Sequence, residues 1–329
     1  MGIFNKLGNG INTTKGILNK FTPADRCSQE TEELDKIIEA SDNGEEWAHQ
    51  KFDELWDKYE NDPSWLPRLA SARIRIYQSA AEQGDKKAQY WMGFSLRRID
   101  KQQALRWLLP LAQEGNVEAM KAIASGYTEF GGFGDDESQY LYWYRMAAEA
   151  GDAEAQSTVG LQYRCQNNYR EAGKWYQMAA KQKDAQGLLG LAECYEQKQM
   201  EEEFQARKET LTPEKERILQ SRRQQYQDRI EELRLEALNC ARSRRDFAEA
   251  CHDLGHFYNR LLIGFKGNIE EKEDIAKRAA YFLYNSYLEG ENEYDLQQFQ
   301  RTVSEQRIQV DTRDIETWAR REIPGMFQG

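Results

Sequence analysis

The sequence predicts an all-α chain: an α/α superhelical solenoid of antiparallel helix pairs with one long helical insert. Two observations predict it. One line of text recurs four times. Tyr77, Ala80-Ala81, Gly84-Asp85 and Ala88 return as Trp107, Leu111-Ala112, Gly115-Asn116 and Ala119, then as Trp143, Ala147-Ala148, Gly151-Asp152 and Ala155, then as Trp175, Ala179-Ala180, Lys183-Asp184 and Ala185. Self-similarity at a nearly fixed period marks a stack of helical units in which each contacts its neighbours. The second observation is compositional. Six prolines in 329 residues, on a background rich in Ala, Leu, Glu, Gln, Lys and Arg, favour helix throughout.

Residues 1–72 read as a tail followed by acidic capping helices. In the tail, Phe4, Leu7, Ile11, Leu18 and Phe21 make a weak apolar stripe beside Lys6, Lys15 and Lys20. Its glycines favour a docking segment over a membrane anchor. Further on, Trp47, Leu55, Trp56 and Tyr59 stand on the acidic stretch from Glu45 to Tyr59, and Pro63 and Pro67 mark the entry to the first repeat. A polar-faced cap of this kind covers the apolar end of a stack.

Residues 73–197 hold four repeats. In the third, helix A runs from about Ser138 to Ala150 and stops at Gly151, a residue that adopts the left-handed conformation readily. Asp152 then caps helix B, and Asp85, Asn116 and Asp184 do the same elsewhere. Ala147 and Ala148 keep helix A thin where helix B crosses, with the Trp143 indole filling the space one turn earlier. Ala155, Val159, Gly160 and Tyr163 line helix B at helical spacing. The connector Gly131-Gly132-Phe133-Gly134 is not GxGxxG and lacks a Lys-Ser/Thr, so it reads as a structural turn.

Residues 198–237 form a charged insert. Thr212-Pro213-Glu214 is a strong helix start, and Leu219, Tyr226 and Leu233 recur every seven residues with Ile230 and Ala237 between. A long helix lying on its own solenoid is expected; self-association through 212–237 is the alternative. Residues 238–290 contain two degenerate repeats: Ala250, Leu254-Gly255 and Tyr258 as a helix B, a connector from Gly264 to Ile269, then Ala279 to Gly290 as a helix A. Residues 291–329, with Trp318, read as the second cap.

This text resembles the Sel-one-like repeat family, relatives of the tetratricopeptide repeats. The family pattern is an aromatic, Ala-Ala-x-x-Gly-(Asp/Asn)-x-x-Ala, Leu-Gly-x-x-Tyr and a Gly-rich connector. Here it is carried by Trp143, Ala147-Ala148, Gly151-Asp152, Ala155, Val159-Gly160 and Tyr163. The match is strong from Ile74 to Tyr195 and covers about half of the chain in all. Lys183 replaces the turn glycine, and Ala124 and Ala192 replace the helix-B glycine. The resemblance implies a superhelix serving as an adaptor in protein complexes, with no shared catalytic residues. The cysteine pair that staples each repeat in the family's secreted branch is missing.

Charge and cysteine usage narrow the function class. A formal charge of −11 argues against nucleic acid and suits a basic protein partner. Cys27, Cys165, Cys194, Cys240 and Cys251 are odd in number and form no CxxC pair, as expected for reduced thiols in the cytoplasm. No run of about 18 apolar residues occurs, so no membrane span is expected. No cofactor is expected either.

Two sets of residues carry chemistry. Cys251, His252 and His256 are the metal candidates, since histidines at i and i+4 share a helix face. A metalloprotease helix needs Glu where Asp253 stands, and no third histidine lies nearby. A solvent- or groove-facing histidine pair without metal is therefore expected, with a metal-dependent hydrolase as the alternative. The second set comes from superposing the A helices. Arg106, Tyr142 and Lys174 precede the aromatics, with Arg75 close to this row in the first repeat, and Leu109, Arg145 and Gln177 follow on the same face. A basic and aromatic row on an acidic protein is a candidate docking strip for a carboxylate-bearing peptide; the alternative is that these side chains are solvated or pair with acids of neighbouring helices. The expected function is a non-enzymatic scaffold that binds one or more proteins. Narrower versions are a bacterial immunity or regulatory protein facing a basic cognate toxin, and a partner of a secretion or signalling component. A membrane-peripheral organiser using residues 1–21 is a further class.

Overall fold

The structure is a computed structural model. It describes residues 29–306, apart from 46, 60, 61, 63, 130, 209, 264, 266 and 291. The expectations for residues 1–21, Cys27 and the segment around Trp318 lie outside the described residues. Among the described residues there are helices and no strands. The chain divides into two compact units, residues 1–150 and 151–329.

The first unit contains α1 (Gln29–Asp42), α2 (Trp47–Tyr59), α3 (Leu66–Glu82), α4 (Lys86–Leu96), α5 (Lys101–Gln113), α6 (Val117–Gly126) and α7 (Glu137–Glu149). Each helix packs on the next, which is the near-neighbour pattern of a repeat stack. Leu69, Ile76, Leu108, Leu111 and Ile123 are fully buried between them. Two helices, α1 and α2, precede the first repeat. Trp56 and Trp91 sandwich the Arg73 guanidinium, at 3.1 and 4.1 Å from the ring centroids, which binds α2 to α3 and α4.

The second unit contains α8 (Ala153–Cys165), α9 (Tyr169–Lys181), α10 (Ala185–Ala206), α11 (Pro213–Cys240), α12 (Arg244–Leu262), α13 (Ile269–Gly290) and α14 (Glu293–Gln306). Its core joins Tyr176, Leu188, Ile230, Leu233, Leu254, Tyr258 and Phe282.

The turns show why these sequences fold this way. One polar residue fastens two helices at once. The Asp85 N–H donates to the Ala80 carbonyl at 3.0 Å, closing the end of α3, while its carboxylate accepts from the Ala88 N–H at 2.6 Å, capping α4. Asn116 repeats the device with Leu111 (3.0 Å) and Ala119 (2.9 Å), and Asp184 with Ala179 (3.2 Å) and Gly187 (2.7 Å). The residue before each takes a positive φ: Gly84 at 95°, Gly115 at 89° and Gly151 at 102°, but also Lys183 at 58°.

The structure corrects the register of the first repeat. Counting back from the turn glycines aligns Ile76, not Tyr77, with Trp107, Trp143 and Trp175. At the aromatic position itself Ile76 is fully buried while the three tryptophans are only half-buried; the next residue is buried in three repeats, as Tyr77, Leu108 and Tyr176. That neighbour fills the hollow at the helix-B glycine: a Cβ on Gly160 would lie 2.8 Å from the Tyr176 ring. Gly255 stands in the same relation to Leu283: a Cβ there would lie 2.8 Å from the Leu283 Cγ and 3.0 Å from its backbone nitrogen.

The insert is also redrawn. Boundaries at 198 and 238 fall inside α10 and α11. α11 packs between α10 and α12, in the place of a helix A. The second half of the seam faces the chain's own core, as a long helix lying on its own solenoid would place it. Ile230, Leu233 and Ala237 are buried there, and the Tyr226 hydroxyl donates to Glu202 at 2.8 Å.

Candidate functional site

The row of A-helix residues falls partly in each unit. In the first, Arg75 donates to Asp42 of α1, with Nε to Oδ1 at 3.1 Å. Arg106 is exposed and Leu109 half-buried. Tyr142 is 54% exposed and meets Trp143 edge-on at 5.3 Å. Arg145 pairs with Glu149 of its own helix at 3.1 Å. In the second unit, Lys174 pairs with Glu171 of its own helix at 2.6 Å, and Gln177 is exposed. Exposed pairs one turn apart contribute only about 0.3–0.5 kcal/mol, so an incoming carboxylate competes for these cations easily.

Lys174 and Gln177 share a groove of about 640 Å³ between α9 and α10. The start of α9 supplies Tyr169 and Arg170, and the outer length of α10 supplies Tyr195, Lys198 and Glu201. α10 lines the groove because it runs on past the length of a repeat helix B, to Ala206. Cys194 lies at the groove wall, and burial pushes its thiol up to about 11, so it is an uncharged lining group. Sequence reading found Lys174 and Gln177 from their repeat positions. It missed Tyr169, Arg170 and Lys198, which occupy positions outside the repeated text.

The histidine cluster differs from expectation in its third member. α12 turns Cys251 into the core, where it is fully buried, and burial pushes its thiol far above the ordinary range. Cys251 therefore does not join the histidines. Instead α14 brings in Asp295, whose side chain is 0% exposed. Its carboxylate lies 3.0 and 2.9 Å from His252 Nδ1 and 3.0 Å from His256 Nε2. The Ser286 hydroxyl of α13 donates to its Oδ2 at 2.6 Å. Burial alone would raise the Asp295 carboxyl; the hydrogen bonds from both histidines and Ser286 outweigh it and hold the carboxyl below the usual carboxylate range. The same bond raises His252, against burial. Tyr294 stacks on His256 with centroids 5.5 Å apart. Nothing in the repeat text marks Asp295, although it lies in the acidic first turn of the helix after the histidine pair.

Asp253 meets a different neighbour from the histidines. Its carboxylate lies 3.8 Å from Arg234 Nε, within a network where Arg234 also bonds Glu196 at 2.8 Å and Arg260 bonds the same Glu196. Arg234 is itself 2% exposed.

No protein-family model matches the chain, and no curated protein matches it. Among solved structures, the chain is similar to a Sel1 repeat protein from Oxalobacter formigenes, at 22% identity and a TM-score of 0.40, over 75% of this chain and 96% of that one. It is also similar to a protective antigen displaying an SLR fold, present in uropathogenic Escherichia coli strains, at 17% identity and a TM-score of 0.37, over 93% of this chain and 78% of the antigen. No described helix is long and apolar enough to cross a membrane. In its own helix pairs, turns and caps, the described part of this chain is an all-α helical repeat.

Proposed function

We propose that the chain is a non-enzymatic scaffold that holds an acidic segment of a partner protein in the groove between α9 and α10. The observation that carries this reading is the groove's lining: Arg170, Lys174 and Lys198 beside Tyr169 and Tyr195, on a protein whose net charge is −11. Basic groups set against aromatic faces offer an extended peptide charge-assisted hydrogen bonds and apolar contact together. In the first unit Arg75, Arg106, Tyr142 and Arg145 are separate candidate contacts for a protein partner. A one-to-one regulatory or immunity pairing is the narrower form of this reading, with the acidic remainder of the surface meeting a basic region of the same partner.

The test is charge reversal at Arg170, Lys174 and Lys198 together, all to Glu, followed by capture from native lysate. Loss of a partner that wild type retains, with an unchanged far-UV melt, is the expected result. Equal retention by the variant places the interface elsewhere and ends the reading.

A further inference from the structure

We propose that His252, His256 and Asp295 bind one first-row divalent cation of the zinc type, which clamps α14 to α12. Among the described residues, these three offer donor atoms that all lie within 4.8 Å of one another. Two imidazole nitrogens and a carboxylate are the donors of catalytic and facial-triad metal sites, with further positions left for water.

The two histidine-to-carboxylate distances fit such an ion. Zinc sits about 2.05 Å from imidazole nitrogen and carboxylate oxygen. Placed at that distance from donors 3.0 Å apart, it subtends an angle of about 94°, close to the right angle of a facial site. A tetrahedral ion needs the donors only about 0.3 Å further apart.

The surroundings are those of a metal site. Ser286 holds Oδ2 of the carboxylate, the second-layer contact that orients a ligand. Tyr294 fixes the plane of the His256 ring. The two rings are partly open, 39% and 21% exposed, so water reaches the remaining positions while Asp295 stays buried. Asp253 is held by Arg234 and has no part in the site. The ion joins the last described helix to the repeat before it, and the proposal does not rest on the groove reading.

The experiment uses the full chain, stripped with a chelator and dialysed. Cobalt(II) chloride is titrated while visible absorption is followed, and zinc chloride is then added. Saturable 1:1 binding, displacement of cobalt by zinc and a raised melting temperature are expected. His252→Gln and His256→Gln should each abolish the absorption band while keeping the far-UV spectrum. Ser286→Ala should weaken binding by about 10–100-fold. Asp295→Asn tests the carboxylate directly; if it fails to fold, the two histidine variants decide the matter. Absence of saturable binding in wild type, or equal binding by both histidine variants, overturns the proposal and leaves the cluster as a hydrogen-bonded strut.

Discussion

Lys183 stands at φ 58° where the other repeats place glycine. A Cβ in the left-handed region costs roughly 1–2 kcal/mol, which glycine avoids at some cost in unfolded-state entropy. Lys183→Gly should stabilise the protein by about 1 kcal/mol, read from a denaturant melt. The adjacent residue gives a prediction in pH. Burial raises the Asp184 carboxyl above its ordinary value, against the hydrogen bond from Gly187, and Asp246 and Glu154 add to the rise. A raised folded-state value means that the protonated form favours folding. That contribution is complete below the unfolded value and is lost as pH rises through the folded one. Asn is as good a cap as Asp, and the second repeat already uses Asn116. Asp184→Asn should therefore be more stable than wild type at neutral pH, and the margin should close as pH falls through the acid range. A margin independent of pH would refute the assignment.

At the scale of the element, α11 is held by a charge network as well as by its apolar seam. Arg234 and Arg260 share Glu196, yet Arg234 is 2% exposed while the Arg260 side chain is 54% exposed. Removing one partner of a buried ion pair strands the other and costs about 3–5 kcal/mol. Arg234→Ala should cost that much, whereas Arg260→Ala should cost less than about 1 kcal/mol. Equal losses would show that burial does not set the strength of this network. How far the elements could be read in advance follows from the same physics. The repeated helix pairs were legible because Asp85, Asn116, Asp152 and Asp184 each recur beside a turn and after Ala-Ala or, in the second repeat, Leu111-Ala112. The place of α11 as a helix A was not, because only its second half carries buried apolar residues and the repeated text is gone. Asp295 was invisible for a related reason. It lies 39 residues beyond His256, and only the packing of α12, α13 and α14 makes them neighbours.

At the scale of the whole molecule, a stack transmits damage to its neighbours rather than to every part. The loss from Arg234→Ala should appear as reduced amide protection in α10 to α13, with α3 to α6 unchanged in the same hydrogen-exchange experiment. Uniform loss across the chain would instead mean that the two units unfold as one. Cys251 offers an independent timing of such events. It is fully buried in the core that α12 shares with α13, and burial pushes its thiol up, whereas Cys165 is exposed. A thiol-reactive dye should label Cys165 at once and reach Cys251 only when α12 and α13 part. The slow phase of labelling then gives the rate at which this end of the molecule breathes.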